Sequence, residues 1–318
     1  MAAAGILGMG AERSHATPAD DLTGTLNVST FKQTSYLTAY YLQRFAPAGL
    51  KINLIETTSN TDAIDALVTG SIDVGYMGVI ACIIAASRGR PLQAVASVAS
   101  RTTRVMVRAD SPYKTIADLK GKTVGIAKAT NQDIIFRELV REAGLDPKKD
   151  IDFILVPTPS QVAALADHTV EAVSTSEPNG SILLLSGIGR ELVKHVNHTR
   201  VGNPGILVAL TADLIAKRPA LAQMFVTMHA KTTIWMLHNT EQLITDFAKM
   251  ARLKEDVVRL AMSNTAHHYN INDTYMHNIT ELSDSLVDAN YLAAGYDVRK
   301  AFDLQFLPAA RKAAGEVV

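Results

Sequence analysis

The stretch Ala66-Leu67-Val68-Thr69-Gly70-Ser71-Ile72-Asp73-Val74 returns further along the chain as Ala164-Leu165-Ala166-Asp167-His168-Thr169-Val170-Glu171-Ala172. Each copy reads as the end of a helix, a turn and a short apolar strand. Upstream of each copy lies a second matched pair, Leu26-Asn27-Val28-Ser29-Thr30 and Thr123-Val124-Gly125-Ile126-Ala127, a strand that opens into a polar loop and an amphipathic helix. Both helices end in a Gly-Leu pair, Gly49-Leu50 and Gly144-Leu145. Two βαβαβ units therefore follow one another at similar internal spacing. Open α/β sheets bind ligands outside the carboxyl ends of their strands, so two such lobes predict a clamp around a small molecule.

Working outward, the apolar periodicity predicts strands at Leu26 to Ser29, Lys51 to Glu56, Ile72 to Tyr76 and Leu92 to Ala99, with helices at Tyr36 to Phe45, Asp62 to Val68 and up to Ala86. Gly70 supplies the left-handed residue that ends the second helix. The second repeat gives a helix from Asp133 to Ala143, a strand from Ile151 to Val156, a helix from Gln161 to Ala166 and a strand from Val170 to Val173. Ile182 to Leu185 fits either a helix or a strand. Val105 to Arg108 and Ile206 to Leu210 read as strands crossing between lobes, and everything from Ala212 onward is helical. The expected fold class is α/β, two-lobed, with a two-strand hinge and a helical C-terminal region. Residues 22–101 and 204–318 are expected to build a discontinuous first lobe, and 102–203 the second.

Composition narrows the function. The chain has 318 residues, long enough for two cores, and its 31 basic residues balance its 31 acidic ones. A nucleic-acid binder would show a basic surplus. No apolar run reaches the roughly 18 to 20 residues of a membrane span. The small, apolar start at Met1 to Gly10 and the Ser14-His15-Ala16 triplet suit the tail of an export signal or a disordered arm, so residues 1–21 are set apart from the fold. The one cysteine, Cys82, lies far from the start, so the expectation is a soluble exported protein and not a lipoprotein. Cys82 itself reads as a small buried hydrophobe. His195 with His198, and His267-His268 with His277, do not match a zinc spacing, and no metal or cofactor is expected.

The runs "DALVTGSIDVGYMG", "SPYKTIADLKGKTVGIAKAT" and "EAVSTSEP" closely resemble the substrate-binding proteins of nitrate-, sulfonate- and taurine-type ABC importers, whose superfamily includes the pyrimidine-precursor synthases of thiamine biosynthesis. The resemblance covers roughly Leu22 to Leu221. It implies a type II periplasmic-binding-protein fold, a periplasmic location, an ABC permease as partner and a monomeric protein that changes no bond. The family usually carries an aromatic residue before the "EP" pair, whereas Thr175 stands two residues before Glu177 here.

Candidate ligand contacts come from the repeat. Thr30, Gln33, Thr34 and Ser35 in the first copy, and Thr130, Asn131 and Gln132 in the second, stand at helix amino ends. Free N–H groups and the helix dipole favour an anion there. Plain N-capping is the other reading of such residues. The third-strand ends supply Met77 and Gly78 in one lobe and Thr175 and Glu177 in the other. Met77 is a soft apolar contact or core filler. Glu177 is a partner for a ligand amine or a structural carboxylate. Arg101, and less so Arg104, stands at the first crossing, where a guanidinium clamps an acid or simply pairs at the surface. These readings favour capture of a small organic anion of sulfonate or carboxylate type and its delivery to an importer. The competing functions are a ligand-converting enzyme of the pyrimidine-synthase type and a ligand sensor. The first needs a cysteine-rich motif that a single cysteine cannot supply, and no DNA-binding or signalling module accompanies the second. Neutral donors point to an anion without choosing among nitrate, an alkanesulfonate and an aromatic or aliphatic carboxylate.

Overall fold

The computed structural model describes residues 22–193 and 204–315. The expected export signal, His195, His198 and the chain just before the second crossing lie outside them. Two sheets organise the rest. The first contains β1 (Gly24–Thr30), β2 (Leu50–Glu56), β3 (Val74–Gly78), β4 (Leu92–Ser100), β10 (Ile206–Thr211) and the short β11 (Ala266–His267), in the order β11-β4-β10-β3-β1-β2. The second contains β5 (Thr103–Arg108), β6 (Thr123–Ile126), β7 (Asp152–Leu155), β8 (Ala172–Ser176) and β9 (Gly189–Glu191), in the order β7-β6-β8-β5-β9.

The internal repeat is legible in this topology. β2-β1-β3-β10 and β7-β6-β8-β5 follow the same order, with three parallel strands and then an antiparallel one that has crossed from the other sheet's stretch of chain. Helices α2 (Asn60–Val68) and α5 (Gln161–Ala166) end alike. Ser71 N–H donates to Ala66 O at 2.8 Å, and Thr169 N–H donates to Ala164 O at 3.0 Å. The residue that makes this turn has φ 76° at Gly70 and 59° at His168. A left-handed turn costs glycine little and histidine roughly 1 kcal/mol, so the second copy keeps the geometry at some expense.

Several elements differ from expectation. The helix expected over Tyr36 to Phe45 is broken into a 3₁₀ turn at Thr34–Tyr36, the short α1 (Leu37–Tyr41) and another 3₁₀ turn at Leu42–Phe45. Side-chain ties outside the helix hold this shape. The Tyr41 hydroxyl donates to Asp246 at 3.0 Å, and the Gln43 amide binds both Leu50 O and Ile52 N–H of β2. The strand expected at Ile72 to Tyr76 begins later, at Val74, because Asp73 is occupied in fixing the turn to Asn27. The Ile182 to Leu185 segment is helical, within α6 (Asn179–Leu185). The two-residue β11 and three-residue β9 are too short to give a periodic signal.

The remaining helices are α3 (Val79–Ser87), α4 (Asn131–Glu142), α7 (Ala212–Lys217), α8 (Pro219–His238), α9 (Thr240–Ala251), α10 (Glu255–Asn264), α11 (Asp273–Asp288) and α12 (Leu307–Ala313). One polar group sits deep in the first core. His229 of α8 is fully buried, accepts from the Tyr76 hydroxyl at Nδ1 (2.9 Å) and donates from Nε2 to Ser97 O (2.7 Å). Burial brings its pKa down to about 4, so the ring is neutral and ties β3, β4 and α8 together.

Candidate functional site

The carboxyl end of β3 meets the amino end of α4 at Gly78 and Asn131, and this junction between the lobes is the candidate cleft. α4 serves both lobes. Ile135, Phe136, Leu139 and Val140 lie in the core of the second sheet. Ile134 instead packs with Ile80, Ile279, Leu282 and Leu286 of α3 and α11 in the first lobe. The same face of α4 carries polar ties. The Ser285 hydroxyl donates to Glu138 at 2.7 Å, the Tyr291 hydroxyl donates to Asp133 at 2.6 Å, and Arg141 lies 3.4 Å from Asp288.

Asn131, at the first position of α4, is the central tie. Its Nδ2 donates to Gly205 O at 2.6 Å and its Oδ1 accepts from Ile80 N–H at 3.3 Å. Val79 N–H also reaches Gly205 O, at 3.0 Å. A side chain at Gly205 would collide with the Ala99 carbonyl, so glycine is required where the chain crosses back. Gly78 N–H donates to Asn60 Oδ1 at 2.9 Å, and the space over Gly78 is filled by the amides of Asn60 and Asn131, one from each lobe.

Thr130 caps α4. Its Oγ1 accepts from Asp133 N–H at 3.4 Å and donates its proton to Ala127 O at 2.6 Å, which leaves no donor for an anion. The loop before it contains Ala129 at φ 59°, with its N–H held by Asp133 at 3.0 Å. Asp133 also binds Arg137 at 2.7 Å, so this buried carboxylate shapes the loop. Burial and the Asp133 contact push the Tyr291 hydroxyl up to about 12. Gln132 accepts from the Ser174 hydroxyl through its backbone carbonyl (2.8 Å), while its half-buried side-chain amide makes no hydrogen bond among the described residues. The half-buried Gln33 amide is equally free there.

On the other flank, Thr34 Oγ1 lies 3.4 Å from Thr265 Oγ1, and His267 Nε2–H donates to Thr34 O at 2.9 Å. Next to Thr265, Asn264 donates to Glu177 Oε1 at 2.8 Å across the lobes. Glu177 is buried, bound by Arg104 on one oxygen and by Ser181 N–H at 3.0 Å on the other. Arg104 lies 2.6 Å from Glu191 as well, so this wall carries one guanidinium between two carboxylates. Thr175 Oγ1 accepts from Asn179 at 3.2 Å.

The residues singled out from sequence therefore divide. Gly78, Asn131 and Glu177 make contacts between the lobes, with Gln132 next to Asn131 and Thr175 near the end of β8, while Thr30 and Gln33 stand just before the 3₁₀ turn that carries Thr34. Met77 joins neither group, because alternation along β3 turns it into the core beside Leu67. Arg101 lies in a separate groove on the first lobe. Among the described residues the buried hydroxyls of Thr30, Ser35, Thr102 and Thr103 make no hydrogen bond, although the Tyr40 hydroxyl lies alongside Thr30 and donates to Phe31 O at 3.4 Å. Sequence reading missed Asn60, Thr102, Thr103, Asp133 and Asn264. Asn60 follows the Ser59 cap and reads as ordinary capping. Asn264 and Asp133 reach Glu177 and Tyr291, far away in the chain, and Thr102 and Thr103 belong to no motif. Among the described residues no cluster of His, Cys, Asp and Glu is arranged to hold a metal, and no helix is long and apolar enough to cross a membrane.

With this geometry in hand, comparison with known proteins is informative. A model of the NMT1-like family matches residues 24–251, which span both sheets. The chain belongs to the NMT1-like family. An Escherichia coli K12 protein named for aliphatic sulfonate binding is 28% identical over 210 residues, which are 65% of this chain and 65% of that protein, just under two thirds of its length. The alkanesulfonate-binding protein SsuA of Xanthomonas axonopodis, solved with MOPS, superposes with a TM-score of 0.77 at 21% identity, covering 88% of this chain and 98% of that one. The periplasmic nitrate-binding protein NrtA of Synechocystis gives 0.74 at 17% identity, covering 92% and 89%. At these identities the two solved structures establish the fold, that of two-lobed solute-binding proteins.

Proposed function

We propose that this NMT1-like protein captures a small organic anion, a sulfonate or carboxylate, in the cleft and delivers it to an ABC importer from outside the cytoplasm. In this reading residues 22–101 with 204–318, and residues 102–203, are the two lobes that close on the ligand, and the protein acts as a monomer. The observation that carries the proposal is that buried hydroxyls at Thr30, Ser35, Thr102 and Thr103 are unengaged among the described residues. A buried hydroxyl without a partner costs roughly 1 to 3 kcal/mol, and a ligand that accepts hydrogen bonds removes that cost. Neutral donors suit a diffuse anion, and the free amides of Gln33 and Gln132 add two more groups. Of the fixed charges nearby, the Arg104 guanidinium is already taken up by Glu177 and Glu191. Asn131 and Glu177 then act mainly by joining the lobes, and Thr34 by fixing Thr265 and His267 within the first.

Conversion of the ligand is disfavoured. The only thiol, Cys82, is buried in α3, and burial pushes its pKa up to about 12, so it is a poor nucleophile. The test is a thermal-shift screen of sulfonates, nitrate and aromatic and aliphatic carboxylates, with mass spectrometry of ligand released from purified protein. At a hundredfold excess over Kd a true ligand adds about 2.7 kcal/mol, which moves Tm by several degrees. Thr102→Val should weaken that ligand by about tenfold or more, as expected for losing a hydrogen bond to a charged group. If only cations, sugars or neutral amino acids shift the melt, the anion assignment is wrong. A ligand recovered chemically altered would restore the enzyme reading.

A further inference from the structure

A groove of about 440 Å³ opens on the first lobe between the end of α8, the start of α9, the end of α10 and β11, and no residue lining it comes from 103–191. Its volume lies within the range of small-molecule pockets. The floor is apolar. Met236, Leu243 and Ile244 are each 1% exposed and belong to a core cluster that the groove opens into. Leu237 stands at the rim with 57% of its surface exposed, one of few large apolar side chains so placed among the described residues. The other rim residue of interest is Arg101. It makes no ion pair or hydrogen bond among the described residues, whereas the second arginine of the groove, Arg259, is paired with Glu241. Arg101 also adopts φ 58°, a left-handed conformation that a non-glycine residue rarely takes. Strained backbone, an unpaired cation and an apolar floor coincide at one place.

We propose that this groove is a second binding site, outside the cleft, for an amphipathic monoanion. The carboxylate or sulfonate head pairs with Arg101, and the hydrocarbon tail covers Leu237, Leu243 and Ile244. Charge complementarity selects the head, because Arg101 is the one lining residue whose charge has no partner among the described residues. The apolar floor selects an alkyl tail over a second polar group. The site is joined to the cleft through its wall, since Thr265 and His267 line the groove and also contact Thr34.

The chain's only tryptophan, Trp235, packs on the same cluster and reports on the groove. Octanoate, decanoate and decanesulfonate should change its fluorescence saturably, with affinity rising with chain length. Arg101→Gln should weaken decanoate by at least about tenfold, the usual loss for a hydrogen bond to a charged group. Leu237→Asp, at an exposed position that leaves the core intact, should weaken it similarly, and Thr102→Val, which removes a hydroxyl assigned to the proposed cleft site, should not. Decanol should bind at least tenfold more weakly than decanoate. The proposal is overturned if no saturable change is seen, if Arg101→Gln and Leu237→Asp bind like the parent, if decanol equals decanoate, or if Thr102→Val abolishes the signal. A response to anionic vesicles without one to monomeric decanoate would also overturn it, because the surface would then be a membrane contact.

Discussion

Acid should weaken this protein through His229, and the loss can be calculated. In the folded state the ring is buried and neutral between Tyr76 and Ser97, with its pKa lowered from 6.5 to about 4. In the unfolded chain it protonates near 6.5. Above that pH both states hold the same neutral ring, and the contribution to stability is complete. As pH falls from 6.5 towards 4 the unfolded state takes up the proton first, so stability drops, and the drop levels off once the folded state protonates too. The full separation corresponds to about 3 kcal/mol, of which about 2 kcal/mol is expressed between pH 7.5 and pH 5. The half-buried His267 and His268 are shifted in the same direction, chiefly by desolvation, and add to the slope. The assay is urea unfolding followed by Trp235, which lies on the same helix as His229. The double substitution Tyr76→Phe with His229→Leu removes the titrating group and its hydroxyl partner together. It should be less stable at pH 7.5, because Ser97 O loses its donor, yet its loss between pH 7.5 and pH 5 should be smaller than the parent's by about 2 kcal/mol. If the double variant loses as much on acidification as the parent, His229 is not held neutral by burial, and the reasoning fails.

Two further outcomes follow from the packing. Ile134→Ala should cost about 2 to 5 kcal/mol in urea unfolding, since the side chain is fully buried among α3 and α11 of the other lobe; a loss under about 1 kcal/mol would mean that α4 does not share that core. Cys82, at 0% exposure with its thiol pushed up to about 12, should resist a thiol reagent in the native protein and react promptly in denaturant; fast native labelling would contradict its place in the core.

The sequence by itself determined the architecture. Periodicity and turn chemistry act over a few residues, so the repeat of Ala66 to Val74 in Ala164 to Ala172 was enough to announce two like lobes, and the structure carries both copies in the same strand order. Resemblance in the same runs pointed to solute-binding proteins, and the family match agrees. Helix starts were legible too, because a cap such as Thr130 bonds its own first turn. What sequence could not reveal is which polar groups remain free. Thr30 and Thr130 both stand near the helix amino end of their repeat, yet the Thr130 proton is taken by Ala127 O while the Thr30 hydroxyl has no hydrogen bond among the described residues. Asn131 is held by Gly205 and Ile80, and Glu177 by Arg104 and Asn264. Arg101 belongs to a groove completed by α8, α9 and α10, far along the chain. A hydrogen bond needs its partners within about 3 Å, and for these residues only the tertiary fold brings partners that close or keeps them away.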